Sequence, residues 1–212
     1  FPAWDLLDKD RRFSRALFTG EGYKQGELSV SVISSRGCPY SCAFCGNMLT
    51  KKVYYHSASY MYELIRHLQN KYGIRHIRFE DDNMTLNQAR LYELCNRLSP
   101  LNIKFRCHSR ADLLDRDSLQ LLKRAGCEEI SFGLESADPE VLELNNKAVS
   151  VDETLVAAKL VKELGLRLKV YLVAGLPGET DQTIKLNEEW MQGVRPDRWT
   201  LSRFTPYPGC AV

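Results

Sequence analysis

The stretch AAKLVKELGLRLKVYLVAGLPGETDQ, residues 157–182, changes its apolar period half-way along. Ala157, Leu160, Val161 and Leu164 recur at i, i+3, i+4 and i+7, the spacing of one buried helix face, and Gly165 stands where a left-handed cap would end that helix. Residues 168–174 then form a short apolar run of strand length, and GLPGETDQ is a polar, glycine-bearing loop that enters a weaker helical pattern over 180–191. A helix that feeds a strand which feeds a helix is the repeating unit of a parallel sheet.

The same alternation runs outward in both directions. Strand candidates lie at 28–34, 75–79, 104–107, 129–132, 168–174 and 199–204. Between them, Met61, Leu64, Ile65 and Leu68 make one helical face and Leu91, Leu94, Cys95 and Leu98 another, with a weaker helix over 117–125. Gly73 and Gly126, like Gly165, sit at expected helix ends. Parallel strands joined by right-handed helical crossovers predict an α/β fold, a partial (β/α)6 barrel of the TIM type, open on one side. In that architecture the loops leaving the strand C-termini share one rim, and here those loops are SRGCPYSCAFCGN, EDDNMTLN, HSRADLL, GLESADPE, GLPGETDQ and TPYPGC. Cysteine, charge and glycine concentrate in them, so the rim is the predicted site.

Composition narrows the partners. With 212 residues the chain suits one domain, and a net charge of +2 gives no electrostatic footprint for nucleic acid, which leaves small molecules as the expected partners. No apolar run reaches the roughly 18 residues of a membrane span, and seven cysteines, an odd number, suit a reducing, cytoplasmic compartment. The chain opens on Phe1 rather than methionine, and its irregular first residues read as a lead-in over 1–25 from an upstream domain of a longer parent, with the core domain over 26–212.

Cys38, Cys42 and Cys45 are spaced C-x3-C-x2-C. Three thiolates on one tight loop can converge on one centre, but a mononuclear site normally needs a fourth ligand. His56 would complete a zinc site; Cys42 and Cys45 alone would make a redox dithiol; three thiolates on a four-iron cluster would leave one iron open. The remaining thiols read as packing: Cys95 on a helix face, Cys127 at a strand start, and Cys107 beside His108, both expected as buried, satisfied side chains. Cys210, beyond the last strand, is a turn residue or a reactive thiol on the rim.

The cysteine spacing, with Phe44 before the last cysteine, resembles the radical S-adenosylmethionine (SAM) superfamily, and the likeness runs from that loop to TPYPGC. The lead-in PAWDLL, with VISSRGCPYSCAFC, FEDDNMTLN, GLESADPEVLELNNK and TPYPG, is most similar to the class that carries a cobalamin-binding domain. The resemblance implies that Cys38, Cys42 and Cys45 hold a 4Fe-4S cluster whose open iron is chelated by SAM, and that reductive cleavage yields a 5′-deoxyadenosyl radical for hydrogen abstraction. It also implies an external one-electron donor such as flavodoxin or ferredoxin, and cobalamin through a domain absent from this chain. The expected reaction is methyl transfer; a cobalamin-free rearrangement, cyclisation or methylthiolation, and a non-catalytic zinc or iron-sulfur module, are the alternatives. The family's Gly-Gly-Glu-type turn, which holds the methionine ammonium, is replaced here by Glu80, Asp81, Asp82 and Asn83. Ser109 and Arg110 correspond to residues near the methionine carboxylate and ribose, Glu135 to a ribose acceptor, and Gly175, Leu176 and Pro177 to the segment under the adenine. The resemblance assigns no proton donor or acceptor; Tyr207 is on the expected rim.

Overall fold

The computed structural model describes residues 1–6, 28–46, 51–208 and 210–211. Its centre is a sheet of six parallel strands, β1 (Ser29–Val32), β4 (His76–Phe79), β5 (Lys104–Ser109), β6 (Cys127–Glu135), β7 (Arg167–Ala174) and β8 (Arg198–Arg203), hydrogen-bonded in that order. The six strands curl into a half-barrel, as the alternation predicts. Two short strands, β2 (Ser35–Arg36) and β3 (Tyr54–Tyr55), pair antiparallel beside it and were not foreseen from periodicity, being two residues each.

Among the described residues, six α-helices connect the strands: α1 (Ala58–Tyr72), α2 (Gln88–Leu98), α3 (Arg116–Arg124), α4 (Pro139–Leu144), α5 (Val151–Glu163) and α6 (Asp181–Val194). Each starts on a side-chain cap. Ser57 accepts from the Tyr60 amide at α1, Asn87 from Arg90 at α2, and Ser150 with Glu153 forms a reciprocal box at α5, each cap contributing about 1 kcal/mol. Gly73, Gly126 and Gly165 have φ of 69°, 103° and 66°, so the predicted stops are real. The short α4 lies inside a loop expected to be irregular; Asp138 caps it and Pro139 opens it, a start signal that the sequence carried.

Register sorts the strand side chains into two faces. Val30, Ile77 and Phe105 align across three strands, with Phe79, Ile130, Phe132, Leu168 and Val170 on the same side, and all are buried under the helices. The alternate residues face the concave side and are polar: Ser31, Arg78 and Arg106 in register, then Glu129, Ser131 and Lys169. β5 runs two residues further than predicted, to Ser109. Cys107 is buried as expected, but His108 points the other way and is 28% exposed, a correction that follows from strand alternation. At the N-terminus, Trp4 is buried, and Asp5 bonds Lys71 and Tyr72 at the end of α1; the rest of the predicted lead-in lies outside the described residues. Among the described residues no helix is long and apolar enough to cross a membrane.

Candidate functional site

The strand C-termini do share one rim, and its loops are tied together by specific bonds. Asp81, just past β4, is buried and takes the Ser34 amide on Oδ1 at 2.7 Å and the Ser34 and Ser35 hydroxyls on Oδ2 at 2.6 and 2.5 Å. Asp82 Oδ2 accepts the Gly37 amide at 2.8 Å, and Arg90 of α2 donates to the Ser34 carbonyl at 2.8 Å. The cysteine loop is therefore anchored at its start to the acidic turn. Gly37 has φ of 104°, and a Cβ there would stand 2.3 Å from the Lys52 carbonyl oxygen, so no other residue fits where the loop leaves β2.

Within the loop, the Cys45 amide donates to the Cys42 carbonyl at 3.1 Å, closing a turn between the two cysteines. Cys38 and Cys42 are half-buried, Cys45 is exposed, and none is in a disulfide. Among the described residues no three Cys, His, Asp or Glu side chains are gathered tightly enough to grip one metal ion. Each thiolate of a four-iron cluster binds a different iron, so it stands farther from its fellows than the ligands of a single ion do. Three thiols outside any disulfide, on an anchored loop, fit that group. His56 lies apart, stacked on the Tyr60 ring at 4.7 Å.

The far end of the loop is held from the other side of the rim. The Ala43 amide donates to the Asn145 carbonyl at 2.8 Å, and the Asn145 side-chain amide donates to the Pro177 carbonyl at 3.0 Å. Lys147 Nζ lies 3.2 Å from Glu135 Oε1 and 6.0 Å from the centre of the Phe44 ring, joining the end of β6 to the cysteine loop. Glu135 is itself left-handed, φ 63°, where the β6–β7 register slips, and such a backbone costs about 1 kcal/mol in a non-glycine residue. Ala211 donates to the Ala43 carbonyl, and Cys210 Sγ lies 3.7 Å from the Phe44 carbonyl, so the last segment reaches the same loop. Tyr207 sits with its ring beside Gly46.

The predicted cofactor residues thus fall in one place. Ser109 and Thr85 share a hydroxyl contact of 2.5 Å. Arg110 is buried, donates to both oxygens of Asp112 at 3.0 and 3.3 Å and to the Ala148 carbonyl at 2.8 Å, and lies 3.4 Å over the Tyr40 ring. Burial pushes the Tyr40 hydroxyl pKa up, with Arg110 opposing. Asn83 is buried; its Oδ1 accepts from Thr85, while its Nδ2 has no hydrogen-bond partner, an open donor at the mouth. Gly175, Leu176 and Pro177 form the turn after β7, with Leu176 buried and Glu179 Oε2 accepting the Gly175 amide at 2.9 Å. Tyr40, Asn145 and Lys147 were not singled out from sequence; each acts through a contact between loops far apart in the chain, which a single sequence does not display.

The radical SAM superfamily model matches residues 32–190, most of the chain. The chain belongs to the radical SAM superfamily. Radical SAM enzymes use a 4Fe-4S cluster to cleave SAM reductively, and the matched residues include Cys38, Cys42 and Cys45. It is 31% identical over 98% of its length to an uncharacterized methyltransferase of Pyrococcus horikoshii, covering 44% of that protein. It is 24% identical over 93% of its length to the bacteriochlorophyllide d methyltransferase of Chlorobaculum tepidum, again covering 44%. The radical SAM methyltransferase TsrM of Kitasatospora setae, solved with cobalamin and a 4Fe-4S cluster, shares the fold with a TM-score of 0.78 at 18% identity, over 85% of this chain and 35% of that one. The chain spans less than half the length of each of these proteins.

Proposed function

We propose that this chain is the catalytic core of a cobalamin-dependent radical SAM methyltransferase acting on a small molecule. The observation that supports it most is the anchoring of the cysteine loop from both ends, by Asp81 and Asp82 on one side and Asn145 and Lys147 on the other, next to polar groups that suit SAM. The names of the relatives support methyl transfer as the reaction.

On this reading Cys38, Cys42 and Cys45 hold the cluster, with Phe44 shielding it. A reduced 4Fe-4S cluster held there would supply the electron that breaks the sulfonium carbon–sulfur bond of SAM. Asp82, exposed beside Gly37, accepts from the methionine ammonium, and Asp81, whose oxygens are engaged by Ser34 and Ser35, fixes the loop behind it. The unpartnered Nδ2 of Asn83 donates toward the methionine carboxylate, with Ser109 and Arg110 on the same side. Glu135 accepts from the ribose hydroxyls, and Gly175, Leu176 and Pro177 lie under the adenine. An electron donor such as flavodoxin or ferredoxin, a cytoplasmic location and cobalamin carried outside these 212 residues complete the reading, with the core proper over 26–212 and residues 1–25 leading into it.

The test is the full-length parent purified without oxygen. Four irons with matching sulfide, 5′-deoxyadenosine formed from SAM after dithionite reduction, and binding of hydroxocobalamin are expected. Zinc without sulfide would remove the radical reading; a cluster with SAM cleavage but no cobalamin binding would leave a cobalamin-free radical enzyme.

A further inference from the structure

The cysteine loop has an outer side that the SAM site does not use. Residues 28–62 hold Arg36, Lys51 and Lys52 and no Asp or Glu, in a chain where 27 of 212 residues are acidic, about one in eight. So long a run without a carboxylate is a property of this loop and not of the chain. The fold gathers its three cations on the β2–β3 hairpin. Arg36 and Tyr54 are register partners across the two strands, and Lys51 and Lys52 immediately precede β3. Lys52 Nζ stands 5.2 Å from the centre of the Tyr54 ring, and the Arg90 guanidinium 4.9 Å from that of Tyr55. Arg36, Lys51 and Lys52 are exposed, and the two tyrosines are 57% and 37% exposed.

Exposed lysines and tyrosines occur on any surface; the place of these decides what they can do. Lys51 Nζ donates to the carbonyl of Tyr40, which lies between Cys38 and Cys42, so the hairpin is set directly against the loop that carries the thiols. The carboxylates bonded to the loop, Asp81 and Asp82, meet it at Ser34, Ser35 and Gly37, and Glu135 is paired with Lys147. A second group of basic side chains, Lys104, Lys123, Arg124 and Arg167, lines a cavity at the strand N-termini. The six residues of β5, roughly 20 Å of strand, separate that cavity from the rim. Electron transfer slows steeply with separation, so of the two basic surfaces only the hairpin can serve a redox centre on the cysteine loop. Tyrosine and arginine are also the side chains that protein interfaces favour, and a patch of one sign steers a partner of the other.

We propose that the β2–β3 hairpin, with Arg36, Lys51, Lys52, Tyr54 and Tyr55, is the docking surface for an acidic one-electron donor protein that reduces the centre held by the cysteine loop. The inference rests on the radical SAM reading, which is what requires an external electron.

The test uses the full-length protein with its cluster reconstituted and SAM present. It reads 5′-deoxyadenosine under two kinds of reductant: dithionite, which needs no docking, and an acidic flavodoxin or ferredoxin kept reduced by its own reductase. With the protein donor, the wild-type rate should fall as salt rises from about 0.01 M to about 0.15 M and the Debye length shortens from ~30 Å to ~8 Å. Arg36→Gln combined with Lys52→Gln should raise the half-saturating donor concentration on the order of tenfold and flatten that salt dependence, with iron content and the dithionite rate unchanged. Arg36→Lys with Lys52→Arg, which keeps both charges, should behave as wild type, and so should Lys159→Gln on the exposed side of α5. If the glutamine variant loses iron, carbodiimide coupling of the wild type to the donor, mapped by mass spectrometry, decides instead: the cross-links should start at Lys51 and Lys52. Wild-type protein that works with dithionite but with neither donor, a glutamine variant that responds to the donor as the wild type does, or cross-links that start elsewhere or join two copies of this protein, overturns the inference and leaves the radical reading standing. Failure of the wild type to form 5′-deoxyadenosine with dithionite overturns that reading instead.

Discussion

Asp81 holds Ser34 through both the backbone and the side chain, with bonds of 2.7 and 2.6 Å to opposite oxygens of one buried carboxylate. The bond to Ser35 makes a third. Since the cysteine loop starts there, Asp81→Ala should both destabilise the fold and loosen the loop. Leaving the buried Ser34 amide and two hydroxyls without their charged acceptor costs about 3 kcal/mol. Urea unfolding checks the first effect and iron content after anaerobic reconstitution the second. Asp81→Asn, which keeps one acceptor oxygen, should lie between. An alanine variant that unfolds with the wild-type midpoint would show that the loop is held by other bonds.

The thiols should divide into two groups by exposure. Cys42→Ala removes a cluster ligand and should abolish iron and sulfide incorporation. Cys95 is buried on the inner face of α2, with its pKa pushed up to about 12 by burial, so it should not react with iodoacetamide near neutral pH. Cys95→Ala should keep full iron content and cost about 1 to 2 kcal/mol of packing. Iron and sulfide analysis of the two variants side by side decides the matter; equal loss would contradict this division.

What the sequence displayed and what it hid follow from how far apart the interacting residues lie. Each strand and long helix is a local pattern: RLKVYLVA alternates, and AAKLVKEL repeats at helical spacing, so both could be read from a dozen residues. The cysteine loop is also local, and its spacing together with Phe44 carried the resemblance that implied the cluster. The charged concave face was written in the same strands, as Arg78, Arg106 and Lys169 between apolar neighbours, but that these side chains share one face depends on β4, β5 and β7 curling around one space. Asp81 illustrates the other limit. It reads as a candidate ligand in an acidic run, and only the approach of β2, 46 residues earlier in the chain, turns it into a structural acceptor. Lys147 was hidden for the same reason, since its partners Glu135 and Phe44 come from a strand end and a loop far from it in sequence.

Acid should weaken the tie between β1, β4 and β5. The Glu80 carboxyl is held at about 2, against an ordinary 4.5, chiefly by its hydrogen bond to His108 and also by that from Ser31. A carboxylate with a depressed pKa contributes stability that is complete above its unfolded value and is lost as pH falls from about 4.5 to about 2. The side chain is 38% exposed, so solvent screens the contribution and it should be modest. Glu153, depressed by its bonds to Ser150, acts in the same direction, so Glu80→Gln should flatten the acid limb of a melting-temperature profile only in part. A Glu80→Gln limb as steep as the wild type's would assign the acid response to other carboxyls.

Glu135 and Lys147 form a pair whose removal should separate SAM binding from cluster assembly. Both side chains are nearly buried, at 13% and 9% exposure, so Glu135→Ala strands an ammonium and should cost about 3 kcal/mol, whereas Glu135→Gln keeps an acceptor and most of the fold. Gly133 makes room for the pair: a Cβ there would stand 1.9 Å from Glu135 Oε1 and 3.1 Å from Lys147 Nζ. Gly133→Ala must therefore push a flexible carboxylate aside without disturbing the strand backbone, at little cost in stability. If that carboxylate receives the ribose hydroxyls, Glu135→Gln and Gly133→Ala should both weaken SAM binding on the order of tenfold while leaving iron and sulfide at wild-type levels. Equilibrium dialysis with labelled SAM, run beside an iron assay on the same samples, measures the two quantities independently. Unchanged SAM affinity in both variants would confine Glu135 to bracing Lys147 against the cysteine loop.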